Sequence, residues 1–231
     1  MKILSIGKTV LHEHLEITSV ETASLPEHHD IEQYDYIIIN GGDGTIRRVL
    51  TQLHSLEKKP VFILNPTGSF NVVAKIHHAP KIDTVLDVLA KKQTPKTEKH
   101  HIFKMNEELF LFSAGNMGDL QHIFLSETLR FGWLKHGIAK YILAVIFLFP
   151  VHLVMTPFML MSSTRFFIFT PLRAVKKFGS FYGEVKAIDI DLDNAYNMIE
   201  LDGDIVNVKG RHLKIRQAGN VRVVTRQDEV H

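Results

Sequence analysis

The chain has 231 residues, enough for one large domain or two smaller ones that each bury a core. Hydrophobic residues make up 45% and charged residues 23%, and a formal net charge of +2 gives no global reason to bind nucleic acid. The absence of cysteine excludes disulfides, thiolate metal sites and a cysteine nucleophile, and it fits a reducing cytoplasm.

The N-terminal MKILSIGKTV has a short apolar run broken by polar residues, so it reads as a first strand and not as a signal peptide. LEITSV and YDYIIIN follow as strands. A helix is predicted from Thr45, because Ile46, Val49, Leu50 and Leu53 share one face while Arg47, Arg48 and Gln52 fall elsewhere. PVFILN is the next strand, a second helix starts near Asn71, and KIDTVLDVLAKK is a third. This alternation predicts an α/β domain with a mainly parallel sheet. The polar QTPKTEKHH ends it, which places a boundary near Pro95 and divides the chain into residues 1–96 and 97–231. EELFLFSAG, RFFIF, EVKAIDIDL, NMIEL, HLKIRQ and NVRVVT then predict an all-β, sandwich-like second domain, interrupted by one long apolar stretch.

The corner at Asn40-Gly41-Gly42-Asp43-Gly44-Thr45 joins a strand to a helix. Glycines there let a phosphate approach backbone N–H groups at the positive end of the helix dipole. One carboxylate in such a place is suited to Mg²⁺, a water or a sugar hydroxyl, not to phosphate itself. A Gly-Asp-Gly turn with Asp43 or Thr45 capping the helix explains the same residues without a ligand. FILNPTGSFNVVAK repeats the grammar: a strand, then Asn65-Pro66-Thr67-Gly68-Ser69, then a helix start.

Asn40 to Thr45, with Tyr34-Asp35 upstream, resembles the GGDGT signature of the diacylglycerol kinase catalytic domain, bacterial lipid kinases, sphingosine kinases and NAD kinases. Pro66 to Lys75 resembles the lipid-kinase pattern P-x-G-T-x-N-D-F-A-R, and Leu201-Asp202-Gly203-Asp204 resembles the family's DGE motif. The resemblance implies an NAD-kinase-like α/β nucleotide-binding domain, then a β-rich substrate-binding domain. It also implies transfer of the γ-phosphate of ATP, with Mg²⁺, to the hydroxyl of diacylglycerol or a similar membrane lipid. Gly41, Gly42, Gly44, Thr45, Gly68, Ser69 and Asn71 are then expected to hold the nucleotide, Asp43 to organise the metal, and Asp202 with Asp204 to take the hydroxyl proton. Val72 stands where the family has Asp, Asp204 where it has Glu, and only Ile6-Gly7-Lys8-Thr9 stands in for its N-terminal phosphate loop. NAD kinase and a nucleotide- or lipid-binding homologue without turnover therefore stay open as alternatives.

No Asp or Glu lies between Glu127 and Glu184, although Arg130, Lys135, Lys140, Arg165, Arg173, Lys176 and Lys177 do. Tyr141 to Thr164 has no charged residue but is divided by Pro150 and Pro157, so a buried helix and strand are favoured over a membrane span. Basic flanks around an apolar surface predict peripheral docking on anionic lipid. The expected partners are thus a lipid substrate and an anionic membrane surface, with no nucleic acid; a homodimer is left open. Asp189, Asp191, Asp193 and Glu200 match positions 1, 3, 5 and 12 of a calcium loop, but their flanks alternate like strands, and a hairpin turning at Asp193-Asn194 is expected instead. The pairs His28-His29, His77-His78 and His100-His101 predict no metal site, because neighbours on a strand point to opposite faces.

Overall fold

The computed structural model describes residues 1–27, 30–53, 56, 59–68, 71–116, 166–170, 181–182 and 187–226. Ser69 and the apolar stretch 141–164 with its basic flanks lie outside them. The chain packs as two compact units, Met1–Phe112 with Arg216–His231, and Ser113–Ile215.

Unit 1 is built on β1 (Ile3–Ile6), β2 (Ile17–Val20), β3 (Tyr36–Gly41) and β4 (Val61–Pro66), with helices α1 (Asp43–Leu53), α2 (Val72–Ile76) and α3 (Ile82–Ala90). Strands β5 (Thr97–Met105) and β6 (Glu108–Phe110) extend it, and the end of β13 (His212–Val224) inserts between β4 and β5, giving the order β2-β1-β3-β4-β13-β5-β6. Strands β1, β2, β3 and β4 run parallel, as the alternation predicts, and β13 joins β4 in the same direction, which the alternation does not predict. Both faces are covered, which is why the β3 run Ile37-Ile38-Ile39 is continuously buried. Ile3, Ile38 and Ile63 meet Val85, Leu86 and Leu89 of α3 on one face. Side chains alternate along a strand, so Ile37 and Ile39 point to the other face; α1, which packs on β3, buries the predicted Ile46, Val49, Leu50 and Leu53.

The division at 96/97 is corrected to 112/113. Ile102, Phe103 and Met105 of β5 bury their side chains in unit 1, so the strand signal after QTPKTEKHH extends the first sheet. EELFLFSAG is not one element: β6 stays in unit 1, while β7 (Ser113–Gly115) opens unit 2. HLKIRQ and NVRVVT are one strand, β13, passing through Gly219 at φ +121°, and its last residues return to unit 1.

The other strands of unit 2 are β8 (Phe167–Phe169), β9 (Phe181–Tyr182), β10 (Ala187–Asp191), β11 (Tyr196–Leu201) and β12 (Asp204–Lys209). They form a sheet in the order β12-β11-β7-β8-β9, antiparallel except for β8 with β9, while β10 pairs with β13. The hairpin expected at Asp193-Asn194 is therefore absent: β10 and β11 join different partners, and Leu192 N–H donates to the Arg211 carbonyl instead. Asp189 and Asp191 flank His212, whose Nδ1 lies 2.6 Å from Asp191, and among the described residues no cluster of His and acidic side chains has metal-site geometry. No helix among the described residues is long and apolar enough to cross a membrane.

Histidines from two of the sequence pairs meet in unit 1. His77 ends α2 and His100 sits on β5; both are buried, with Nε2 of His77 2.9 Å from Nδ1 of His100 and Nδ1 of His77 3.2 Å from Glu98. The Thr225 hydroxyl donates to the His77 carbonyl, and Nε2 of His100 makes no well-formed hydrogen bond. Burial holds His100 far below the ordinary histidine range, at about 4; His77 and His101 push the same way and the Leu111 main chain opposes. Because the folded pKa is depressed, the unfolded chain binds more protons between about pH 6.5 and 4, so the contribution is complete above that window and lost as pH falls through it. The limit is about 3 kcal/mol. Urea unfolding at pH 7 and pH 4.5 should show a loss that His100→Phe reduces; an equal loss in both proteins would dismiss the assignment.

Candidate active site

The corner begins with its scaffold. Asn40, at the end of β3, is buried; its Nδ2 donates to Ser5 Oγ at 2.9 Å and to the Ile6 carbonyl at 3.0 Å, and its Oδ1 accepts from Asn65 Nδ2 at 2.7 Å. The Ser5 hydroxyl donates to the Lys8 carbonyl, and Gly7 takes φ +89° where a Cβ would stand 2.8 Å from the Asn40 carbonyl oxygen. One amide thus ties the ends of β1, β3 and β4 together, and it sets the Ile6-Gly7-Lys8-Thr9 segment beside the corner. An asparagine suits this place because it offers donors and an acceptor without charge.

The two loops then touch. Asn40 and Gly41 pair with Asn65 and Pro66, and Thr67 N–H donates to the Gly41 carbonyl. A Cβ on Gly68 would lie 2.8 Å from Gly42 Cα, and one on Gly42 would lie 3.3 Å from Gly68 Cα. Asn71, at φ 50° and ψ 52°, grips Gly68 twice: its Oδ1 accepts from Gly68 N–H at 3.1 Å and its Nδ2 donates to the Gly68 carbonyl at 2.6 Å. The side chain that the sequence assigns to nucleotide binding thus shapes the second loop.

Asp43 does the same between loops. Its Oδ2 accepts Val72 N–H at 2.8 Å and its Oδ1 accepts Val73 N–H at 3.0 Å, so it caps α2 from another helix. Backbone N–H groups at a helix start have no intrahelical acceptor, and a buried carboxylate needs donors; each satisfies the other. A metal-organising Asp43 is the sequence expectation; the geometry gives the carboxylate a structural task first. Each oxygen keeps a lone pair able to receive a metal-bound water, but among the described residues Asp43 belongs to no cluster of three or more His or acidic side chains that could hold a metal directly. The Gly42 carbonyl accepts from Thr45 and Ile46 N–H, so Thr45 N–H is used within the fold. Among the described residues the N–H groups of Asp43 and Gly44 find no acceptor, and that pair, at the start of α1, fits a phosphate.

In unit 2, Asp202 and Gly203 have φ +53° and +88° and connect β11 to β12, a two-residue turn that requires positive φ at both positions. Asp202 is buried: its Oδ1 accepts Ser113 N–H at 3.0 Å, and its own N–H donates to the Ser113 carbonyl. Asp204 is half-buried at the start of β12, paired with Leu201. Sequence reasoning missed Glu200 except as the end of a calcium loop. Its Oε1 accepts Gly203 N–H at 3.0 Å, and burial pushes its carboxyl up against the opposing hydrogen bonds from Gly203 and the Ser113 side chain. Its position two residues before the Asp-Gly turn was the available signal.

With this geometry in hand, relatives can be compared. Residues 9–102 match the family defined by the diacylglycerol kinase catalytic domain. The chain is 27% identical over 124 residues to a protein of Streptococcus pneumoniae serotype 4 (strain ATCC BAA-334 / TIGR4) named "Putative lipid kinase"; the match covers 52% of this chain and 41% of the relative. The chain therefore spans well under half the length of that relative. Two solved structures from Bacillus anthracis str. Sterne share the fold: one described as "a putative diacylglycerol kinase" (TM-score 0.56, 12% identity, 97% of each chain) and one described as a diacylglycerol kinase (TM-score 0.55, 15% identity, 99% of this chain and 98% of that one). The signature corner, its second loop and the shared fold agree with one another: residues 9–102 match the diacylglycerol kinase catalytic domain, and the chain is similar to proteins described as lipid kinases.

Proposed function

We propose that the protein transfers the γ-phosphate of ATP to the hydroxyl of diacylglycerol or a related membrane lipid. The observation that carries this reading is the contact of the two glycine loops, Gly42 against Gly68, beside the open N–H groups of Asp43 and Gly44. Phosphoryl transfer asks the protein mainly for positioning and charge neutralisation. Gly41, Gly42, Gly44 and Thr45 frame the phosphates; Gly68 and Asn71 fix the facing loop, where Ser69 is expected to join them. Asp43 would hold Mg²⁺ through its waters, and the ion would supply neutralisation of the phosphate charge. In unit 2, Asp202 with Asp204 is proposed to serve the acceptor hydroxyl; Glu200, whose carboxyl is pushed up by burial, is suited to holding a proton beside the same turn. Work at an anionic membrane surface, in the cytoplasm, follows from the acceptor.

A second reading is favoured by one specific arrangement: Asp43 and Asp202 both spend carboxylate oxygens on backbone N–H groups, and Val72 supplies no acid. On it the fold binds nucleotide or lipid without turnover. Purified protein with γ-labelled ATP, Mg²⁺, anionic vesicles containing diacylglycerol, and NAD decides between them. Label in the organic phase is expected, with protein pelleting alongside the vesicles at low salt. Label on NAD, or bound ATP with label on neither acceptor, overturns the lipid kinase reading.

A further inference from the structure

We propose that a cavity of about 470 Å³ in unit 1, beside α3, binds a phosphomonoester attached to an apolar group. Its size lies within the range of small-molecule sites. Lys81, Lys96 and Arg226 line it together with Val85, Val88 and Val224, and no carboxylate is among the described residues that line it. Val85 and Val224 belong to the core between α3 and the sheet and form the floor of the cavity, while the half-buried Val88 and Pro80 offer its apolar surface. Lys81 and Arg226 are exposed and make no ion pair among the described residues. Lys81 and Arg226 bring like charge to one mouth, and an anion between them relieves the repulsion.

The chemistry of that anion can be narrowed. A carboxylate or a phosphodiester brings a single charge, whereas a phosphomonoester brings about −1.5 to −2 at pH 7 and three acceptor oxygens. The Arg226 guanidinium offers the fork that phosphate accepts, and the lysines add point charges. Lys81 also stands at the N-terminus of α3, where no side chain caps the first turn. Val88 and Pro80 supply the complement for a neighbouring alkyl or acyl group. None of the glycine-loop residues lines this cavity, so it is a separate anion site on the same unit.

The test uses the whole chain without ATP, so its result does not depend on the kinase reading. Isothermal titration compares hexyl phosphate, dihexanoyl phosphatidic acid, inorganic phosphate and dihexanoylglycerol, in wild type and in Lys81→Glu, Arg226→Glu and the milder Lys81→Ala and Arg226→Ala. Binding of hexyl phosphate or the short phosphatidic acid, weakened about tenfold by each charge reversal at unchanged melting temperature, supports the site. The tighter of those two probes tells a small phosphate ester from a lipid headgroup. Inorganic phosphate binding as tightly as both, the neutral diglyceride binding as tightly as its phosphate, or no probe binding at all overturns it.

Discussion

Asp43→Ala should abolish phosphoryl transfer and lower unfolding stability by about 2–4 kcal/mol, because it strips the part-buried Val72 and buried Val73 N–H groups of their acceptors at once. The informative companion is Asp43→Asn. An amide has one acceptor oxygen, so its NH₂ must face one of the two N–H groups, donor against donor. Asparagine is therefore expected to lose much of the same stability despite its nearly identical shape. Urea unfolding beside transfer assays separates the two tasks of this residue. A fully stable but inactive Asp43→Asn would mean that the carboxylate serves only a metal, and the clamp would be dismissed.

Gly41→Ala should be the most disruptive alanine in the corner, at about 3 kcal/mol and with loss of nucleotide binding. The new Cβ would lie 2.5 Å from Thr45 Cβ, and no rotation about χ1 moves that atom. Thr45→Ala should therefore fail to rescue it. Gly68→Ala is expected next, since its Cβ meets Gly42 Cα at 2.8 Å, and Gly42→Ala last, at 3.3 Å. Melting temperatures measured in the order Gly41, Gly68, Gly42 from worst to mildest would establish that the loops are held by contact. A reversed order would mean that the corner relaxes freely.

Local periodicity explains what could be read in advance. Strand β3 and helix α1 announce themselves through a β-branched run followed by a single apolar face, and the glycines between them mark the turn. What escaped depends on distant partners. The Asp43 clamp closes over residues 29 and 30 positions away, and nothing near Asp43 signals it. The histidines looked inert because adjacent residues diverge, yet members of different pairs converge once α2 and β5 pack. NVRVVT carries the signal of a strand but none for its sheet, so its return to unit 1 was invisible, and the domain boundary was misplaced with it.

That return constrains the order in which the protein can be made. The strand between β4 and β5 comes from residues synthesised after all of unit 2, so a growing chain that has finished β6 still holds a gap at the centre of its first sheet. Closing it is a contact of very long sequence separation, and such contacts form slowly. During translation the edge of β4 stands open to other strands, the condition under which nascent chains pair wrongly or recruit chaperones.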